Sequence, residues 1–428
     1  MKAHNQLEAE HRDILFHYNS NIIQFFLIGL FYFFAFFTPK VYFGGIHFRY
    51  EDLLTFFIAT ILIFNLRKNY VLITSLIFVY SFYIIFFSML NIMLENSNLY
   101  SIVILGKEVQ YFLVFSLILF SFDNVSFEKS IKYFFTPITF IVVLFALNSM
   151  INGNIGAYGL PYINENAPST SAISYFNFLF ITIILYFFYS PRSKLISKLL
   201  LLSIGILLIS LIATASRTAF LVVVLFMVIS PLFFLNTKYS IPIFLFIIML
   251  IFIVYFNRYG LHEYLYLHKP ENPVFHVTIG RVKTLLLLFD NLEVLHGARI
   301  NSWQQSLSHI NNWNIFFGNG RGYFSATDGF KGLGTDSQFT RNIIEIGIIG
   351  SFIFIMVILS PILYLKDIWK NIYILYLILY LFWSIAAEIF LVSKGGEMFW
   401  LITAILLLLS NKDYKDKEIN DSFRNSNL

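Results

Sequence analysis

Six charged side chains stand where this apolar chain could do chemistry: Lys107, Arg217, Arg299, Arg321, Asp336 and Glu345. The cations among them could hold an anion such as phosphate, and the carboxylates could exchange protons. A guanidinium fork matches phosphate through paired donors. A carboxylate placed as a general base contributes typically about 10²–10⁴-fold. Arg217 lies in Ala215-Ser216-Arg217-Thr218-Ala219, between two apolar runs with almost no loop. There it must snorkel or find an anion. Lys107 and Glu108 fall inside an apolar run. Neighbours on a helix point about 100° apart, so they are poor partners for each other. Lys107 either reaches a phosphate or pairs with Glu388. Arg299 and Trp303 are spaced to share one helix face, as a stacked pair or as part of a site.

Arg321 belongs to Phe317-Gly318-Asn319-Gly320-Arg321-Gly322. Such glycines are either a turn or a cradle whose backbone amides approach an anion. The lysine and hydroxyl of a phosphate-binding P-loop are missing. Asp336 precedes an apolar run, as a helix cap or as a carboxylate at the membrane surface. Glu345 opens Glu345-Ile346-Gly347-Ile348-Ile349-Gly350 within that run. No metal site is indicated: there is no cysteine, and His262, His268, His276, His296 and His309 form no metal-binding spacing. No cofactor and no nucleic acid is expected.

The elements that must position these residues are membrane helices. The chain is 58% hydrophobic and 12% charged, against about 25% charged in soluble domains. Near-continuous Phe, Ile and Leu runs predict helical spans rather than barrel strands. A hydrocarbon core of about 30 Å needs roughly 20 apolar residues per helix. The runs are 21–38, 51–66, 70–92, 100–122, 132–150, 171–189, 195–213, 218–235, 240–256, 342–364, 371–391 and 396–410. The fold class is therefore an all-α polytopic membrane protein of about 12 transmembrane helices, with one large extracytoplasmic loop between helices 9 and 10. The expected organisation is a cytoplasmic N-terminus over 1–20, nine helices over 21–256, the large loop over 257–340, three helices over 341–410 and a cytoplasmic tail over 411–428. The first apolar run reads as an anchor rather than a cleavable signal, and residues 1–20 as an interfacial helix or a frayed tail.

Positive charge in the connections sets orientation. One alternating set carries Lys2, Arg12, Arg67, Lys68, Lys129, Lys132, Arg192, Lys194, Lys238, Lys366, Lys370, Lys412, Lys415, Lys417 and Arg424. The short connections of the other carry Lys40, Arg49, Arg217 and Lys394. Both termini are thus expected in the cytoplasm, with Arg217 and the large loop facing outward.

At these residues the chain resembles the O-antigen polymerase and O-antigen ligase superfamily of bacterial surface polysaccharide assembly. The shared features are Ser216-Arg217 opening a span, then a large outer loop with Arg299-x-x-x-Trp303 and the Gly318-x-Gly320 stretch. Asp336 and the Glu345–Gly350 stretch follow at the next span. The motifs cover roughly residues 214–350. The ligases carry a histidine near the place of Asp336, so its presence favours the polymerase branch. Arg321 with Gly332 also fits the Arg-x10-Gly spacing described for polymerases.

The resemblance implies a membrane glycosyltransferase at the outer face of the bacterial inner membrane. Its substrates would be undecaprenyl-pyrophosphate-linked oligosaccharides, and undecaprenyl pyrophosphate would leave. Arg217, Arg299, Arg321 and Lys107 would bind substrate and pyrophosphate; Asp336, then Glu345, would act as the base. A chain-length regulator is a possible partner beside the lipid bilayer. A ligase or related polyprenyl-linked glycan transferase is the alternative, and a lipid-linked oligosaccharide flippase a further one.

Overall fold

The computed structural model describes residues 41–43, 46–48, 71–94, 100–121, 124–151, 168–214, 216–267, 279–280, 282–283, 286, 301, 303–308, 310, 313–323, 337–387, 390 and 393–426. The expected spans 21–38 and 51–66 lie outside them, as do the expected N-terminal segment 1–20, Arg299, Asp336 and Glu388. The protein is an all-α polytopic membrane protein. Its one β feature among the described residues is a short antiparallel pair, β1 (Val41–Phe43) with β2 (Ile46–Phe48).

The helices follow the apolar runs. They are α1 (Val71–Met93), α2 (Tyr100–Ser121) and α3 (Asn124–Ser130), which passes through a π-helical turn at Ile131–Phe135 into α4 (Thr136–Ile151). Next come α5 (Pro168–Tyr189), α6 (Lys194–Ala213), α7 (Arg217–Phe234), α8 (Thr237–Phe256) and α9 (Arg258–Leu267). After the polar segment come the one-turn α10 (Asn314–Phe317), α11 (Gln338–Leu359), α12 (Asp367–Ala386) and α13 (Ser393–Ser426). Among the described residues, eight helices are long and apolar enough to cross a membrane. Residues 411–426, expected as a tail, continue α13 as helix.

Starts are set by capping as well as by hydropathy. An N-cap side chain accepts one of the N–H groups that the first helical turn leaves unpaired. Ser193 caps α6 and Ser216 caps α7, whose first residue is Arg217. Ser337 caps α11 by accepting from the Thr340 N–H, so the capping role considered for Asp336 belongs to its neighbour.

The core is aromatic. Helix α5 is the central element, 89% buried, packed between α6, α12 and α13. Phe176 and Phe180 meet Tyr376, and Phe176 also meets Tyr380 and Trp383. Phe399 and Trp400 of α13 complete the layer against Phe112 and Phe115 of α2. Helix α8, by contrast, is 6% buried and leans on α7. Lipid is as apolar as leucine, so a helix facing it needs no protein cover.

The polar segment does not stay outside the bundle. Residues 314–323 form a strap that docks between α1, α2 and α11. Phe317 stacks on Phe87 with ring centroids 5.0 Å apart, and Arg321 is completely buried.

Candidate functional site

The strap is received by a break in α11. Gly347 has φ +68° and ψ −176°, a conformation outside the helical region that a side chain would not tolerate. The break ends the first half of the helix and leaves carbonyls without their usual donors. The strap supplies replacements: Asn319 N–H donates to Ile344 O and Gly320 N–H to Glu345 O, both at 2.8 Å. The Tyr83 hydroxyl lies 3.0 Å from Ile346 O and 3.2 Å from Phe317 O. The two backbones touch directly. A Cβ on Gly318 would come 2.3 Å from Glu345 O, and one on Gly347 would come 2.3 Å from Phe316 O. The two glycine motifs of the sequence are therefore the two halves of one joint.

Arg321 locks the joint electrostatically. Its Nε donates to Glu108 Oε2 at 2.5 Å and its Nη2 to Glu108 Oε1 at 2.7 Å, a bidentate pair. Nη2 also reaches the Tyr80 hydroxyl at 3.2 Å, which itself donates to Glu108 Oε1 at 2.8 Å. Nη1 donates to Asn342 Oδ1 at 2.9 Å and to Glu345 Oε2 at 3.4 Å. A guanidinium has five N–H donors, and each has an acceptor here. Arg341 Nε meets the other Glu345 oxygen at 3.0 Å. Gln338 donates to Asn342 Oδ1 and accepts from Phe390 N–H, carrying the network to the turn before α13.

Two arginines thus face two carboxylates, and their formal charges cancel. Helical rise is about 1.5 Å per residue. Glu108 therefore sits about 12 Å along α2 from Tyr100, and Glu345 about 10 Å along α11 from Gln338. Charges so deep persist only when paired, and such intramembrane clusters mark functional regions.

The expected site residues divide. Arg321 and Glu345 are brought together at the joint, with the glycine stretch around them. A phosphate could reach Arg321 only by displacing Glu108 or Glu345, and the Asn319 and Gly320 amides are already taken by helix carbonyls. Glu345 would have to exchange an arginine for a sugar hydroxyl to act as base. Lys107 is half-buried on α2, turned away from the pair that Glu108 makes, and forms no ion pair with a described residue. Arg217 is exposed at the start of α7 and takes no part in the described hydrogen bonds of the Arg321 cluster. Trp303 is half-buried, and its expected partner Arg299 lies outside the described residues, as does Asp336.

The structure adds Tyr80, Gln338, Arg341 and Asn342 to the cluster, and gives Glu108, conspicuous in the sequence as an intramembrane charge, its partner. The only sequence signal of the added residues is polarity within or beside an apolar run. Glu397, fully buried near the start of α13, carries the same signal. Among the described residues, no group of three or more His, Asp or Glu side chains could hold a metal ion.

Comparison with models of known protein families gives no match, and comparison with curated proteins gives none.

Proposed function

We propose that this protein joins undecaprenyl-pyrophosphate-linked oligosaccharide repeats at the outer face of the bacterial inner membrane. The hydroxyl at the non-reducing end of one repeat attacks the anomeric carbon of another. The bond from that carbon to the pyrophosphate oxygen breaks, its electron pair leaves with the lipid pyrophosphate, and the hydroxyl proton passes to a carboxylate. The wider proposal includes twelve spans, both termini in the cytoplasm and the 257–340 segment outside.

The observation that supports this reading best is the joint itself. The glycine stretch and the Glu345–Gly350 stretch, consecutive features of the polymerase and ligase pattern, interlock around Arg321 in a fully buried charged unit. A preorganised charged cluster set in apolar surroundings suits a reaction whose leaving group develops charge. Since Arg321 is engaged, the pyrophosphate falls to Arg217, Arg299 and Lys107, and the proton to Asp336 before Glu345. A lipid-linked donor entering sideways from the bilayer accounts for a site among membrane helices.

One observation favours a second reading, movement of the lipid-linked oligosaccharide across the bilayer. Interrupted membrane helices with buried polar groups are also how transporters build their sites, and α11 is interrupted at Gly347. A deletion strain separates the two. Loss of a polymerase leaves surface lipid capped with a single repeat. Loss of a flippase, or of a ligase, leaves no attached repeat at all, and that result would refute the polymerase reading.

A further inference from the structure

We infer that Glu108 is a positioning residue: it neutralises Arg321 in a removable lock whose net neutrality, rather than its attraction, lets the strap sit in the break of α11. The inference deepens the transferase reading and rests on it only for what the strap is held in place to do.

The charges partition cleanly. Arg321 and Glu108 form one pair, bidentate, and Arg341 and Glu345, one helical turn apart on α11, form another through Arg341 Nε and Glu345 Oε1. A single longer contact, Arg321 Nη1 to Glu345 Oε2 at 3.4 Å, joins them. Taking away both members of the first pair leaves the second intact and the interior neutral. Taking away one member leaves an uncompensated charge where neither side chain of the pair is more than 5% exposed. Breaking a buried pair is strongly unfavourable, whereas replacing both members with apolar groups of similar volume is often tolerated. The other described contacts of the strap are electrically neutral, among them Arg321 N–H to Ser88 Oγ, Tyr83 hydroxyl to Phe317 O, Phe317 on Phe87, and the Asn319 and Gly320 bonds to α11. They need the lock only to be neutral. If Arg321 were instead an anion ligand, no change at Glu108 could substitute for it.

The molecule carries its own reporter position. Ser101 is fully buried under the strap, and a Cβ on Gly322 would come 2.9 Å from its Cα. Its hydroxyl has no hydrogen-bond partner, so Ser101→Cys exchanges one small group for another. The chain has no cysteine, so this thiol would be the sole one. Its reaction with N-ethylmaleimide in native membranes reads how often the strap lifts. It needs no substrate and is independent of whether the chain is a transferase.

In the Ser101→Cys background, Arg321→Met and Glu108→Leu should each speed labelling at least about tenfold, as expected when a locally closed segment opens more often. The double variant should label within about threefold of the parent, the rescue expected of a pair that matters only jointly. Labelling that stays slow in both single variants overturns the lock. So does fast labelling in the double variant, or failure of the double variant to accumulate in membranes where the singles do. Glu108→Gln, which keeps size and one acceptor, covers the case in which none of the three accumulates: it should raise the rate, and an unchanged rate overturns the proposal.

Discussion

Gly347 and Gly318 are the residues on which the joint depends most directly. Each presses its backbone against the other's segment where a Cβ would sit 2.3 Å from a carbonyl oxygen, and both have positive φ. Backbone strain of this kind costs about 1–3 kcal/mol before any clash. Gly347→Ala should therefore lower the thermal midpoint of the detergent-solubilised protein well beyond Gly106→Ala, where a Cβ meets nothing within 4 Å. Equal midpoints would mean that the break is not held as described. Arg321 allows a graded test. Arg321→Met leaves two buried carboxylates facing one arginine, a cost of about 3–5 kcal/mol. Arg321→Lys keeps the charge but has three donors in place of a planar fork, and should lose less. Denaturation midpoints that place the lysine variant at or below the methionine variant would contradict a role for charge compensation.

At the scale of elements, α11 and the strap are one unit. The carbonyls of Ile344 and Glu345 accept from strap amides, and an unpaired buried carbonyl costs about 1–3 kcal/mol. Removing residues 314–323 should raise amide hydrogen exchange in α11 around Gly347 while leaving α5 protected; unchanged exchange in α11 would separate the two elements. The contrast between α5 and α8 supplies another test. Phe176→Ala, in the fully packed aromatic layer, should cost about 3–5 kcal/mol. Phe252→Ala on α8, where the side chain is 57% exposed, should change stability by no more than about 0.5 kcal/mol. The eight described helices long and apolar enough to cross a membrane were legible in the sequence because apolar run length specifies them. The cap of α11 was displaced by one residue from Asp336 to Ser337, since either side chain can accept the same amide and only backbone geometry chooses. The joint was not legible. Its glycines are 29 positions apart, and nothing local to either says that it faces the other.

At the scale of the whole molecule, the polar segment does two things. Its last described part enters the bundle, and its anchor, Arg321, ties α1, α2 and α11 together through partners as far away in sequence as Tyr80. The sequence marked Arg321 and Glu345 as chemically unusual, but assigning them ligand or base roles needed their partners. For Arg321 they include Tyr80 and Glu108, more than 200 positions upstream, and Asn342 of α11; for Glu345 they include Arg341. Lys107 shows the reverse. It was conspicuous beside Glu108, and the structure separates the two, giving Glu108 to Arg321 and leaving Lys107 half-buried on another face of α2. A bundle locked in this way holds its charged cluster still, which suits the proposed transfer better than transport through a rocking bundle. The most direct test uses the purified protein in vesicles with one polyprenyl-pyrophosphate-linked repeat unit as sole substrate. The account predicts products of two or more repeats, with free polyprenyl pyrophosphate released in step with each bond formed. Passage of the intact lipid-linked repeat across the bilayer, with no pyrophosphate released, would contradict it.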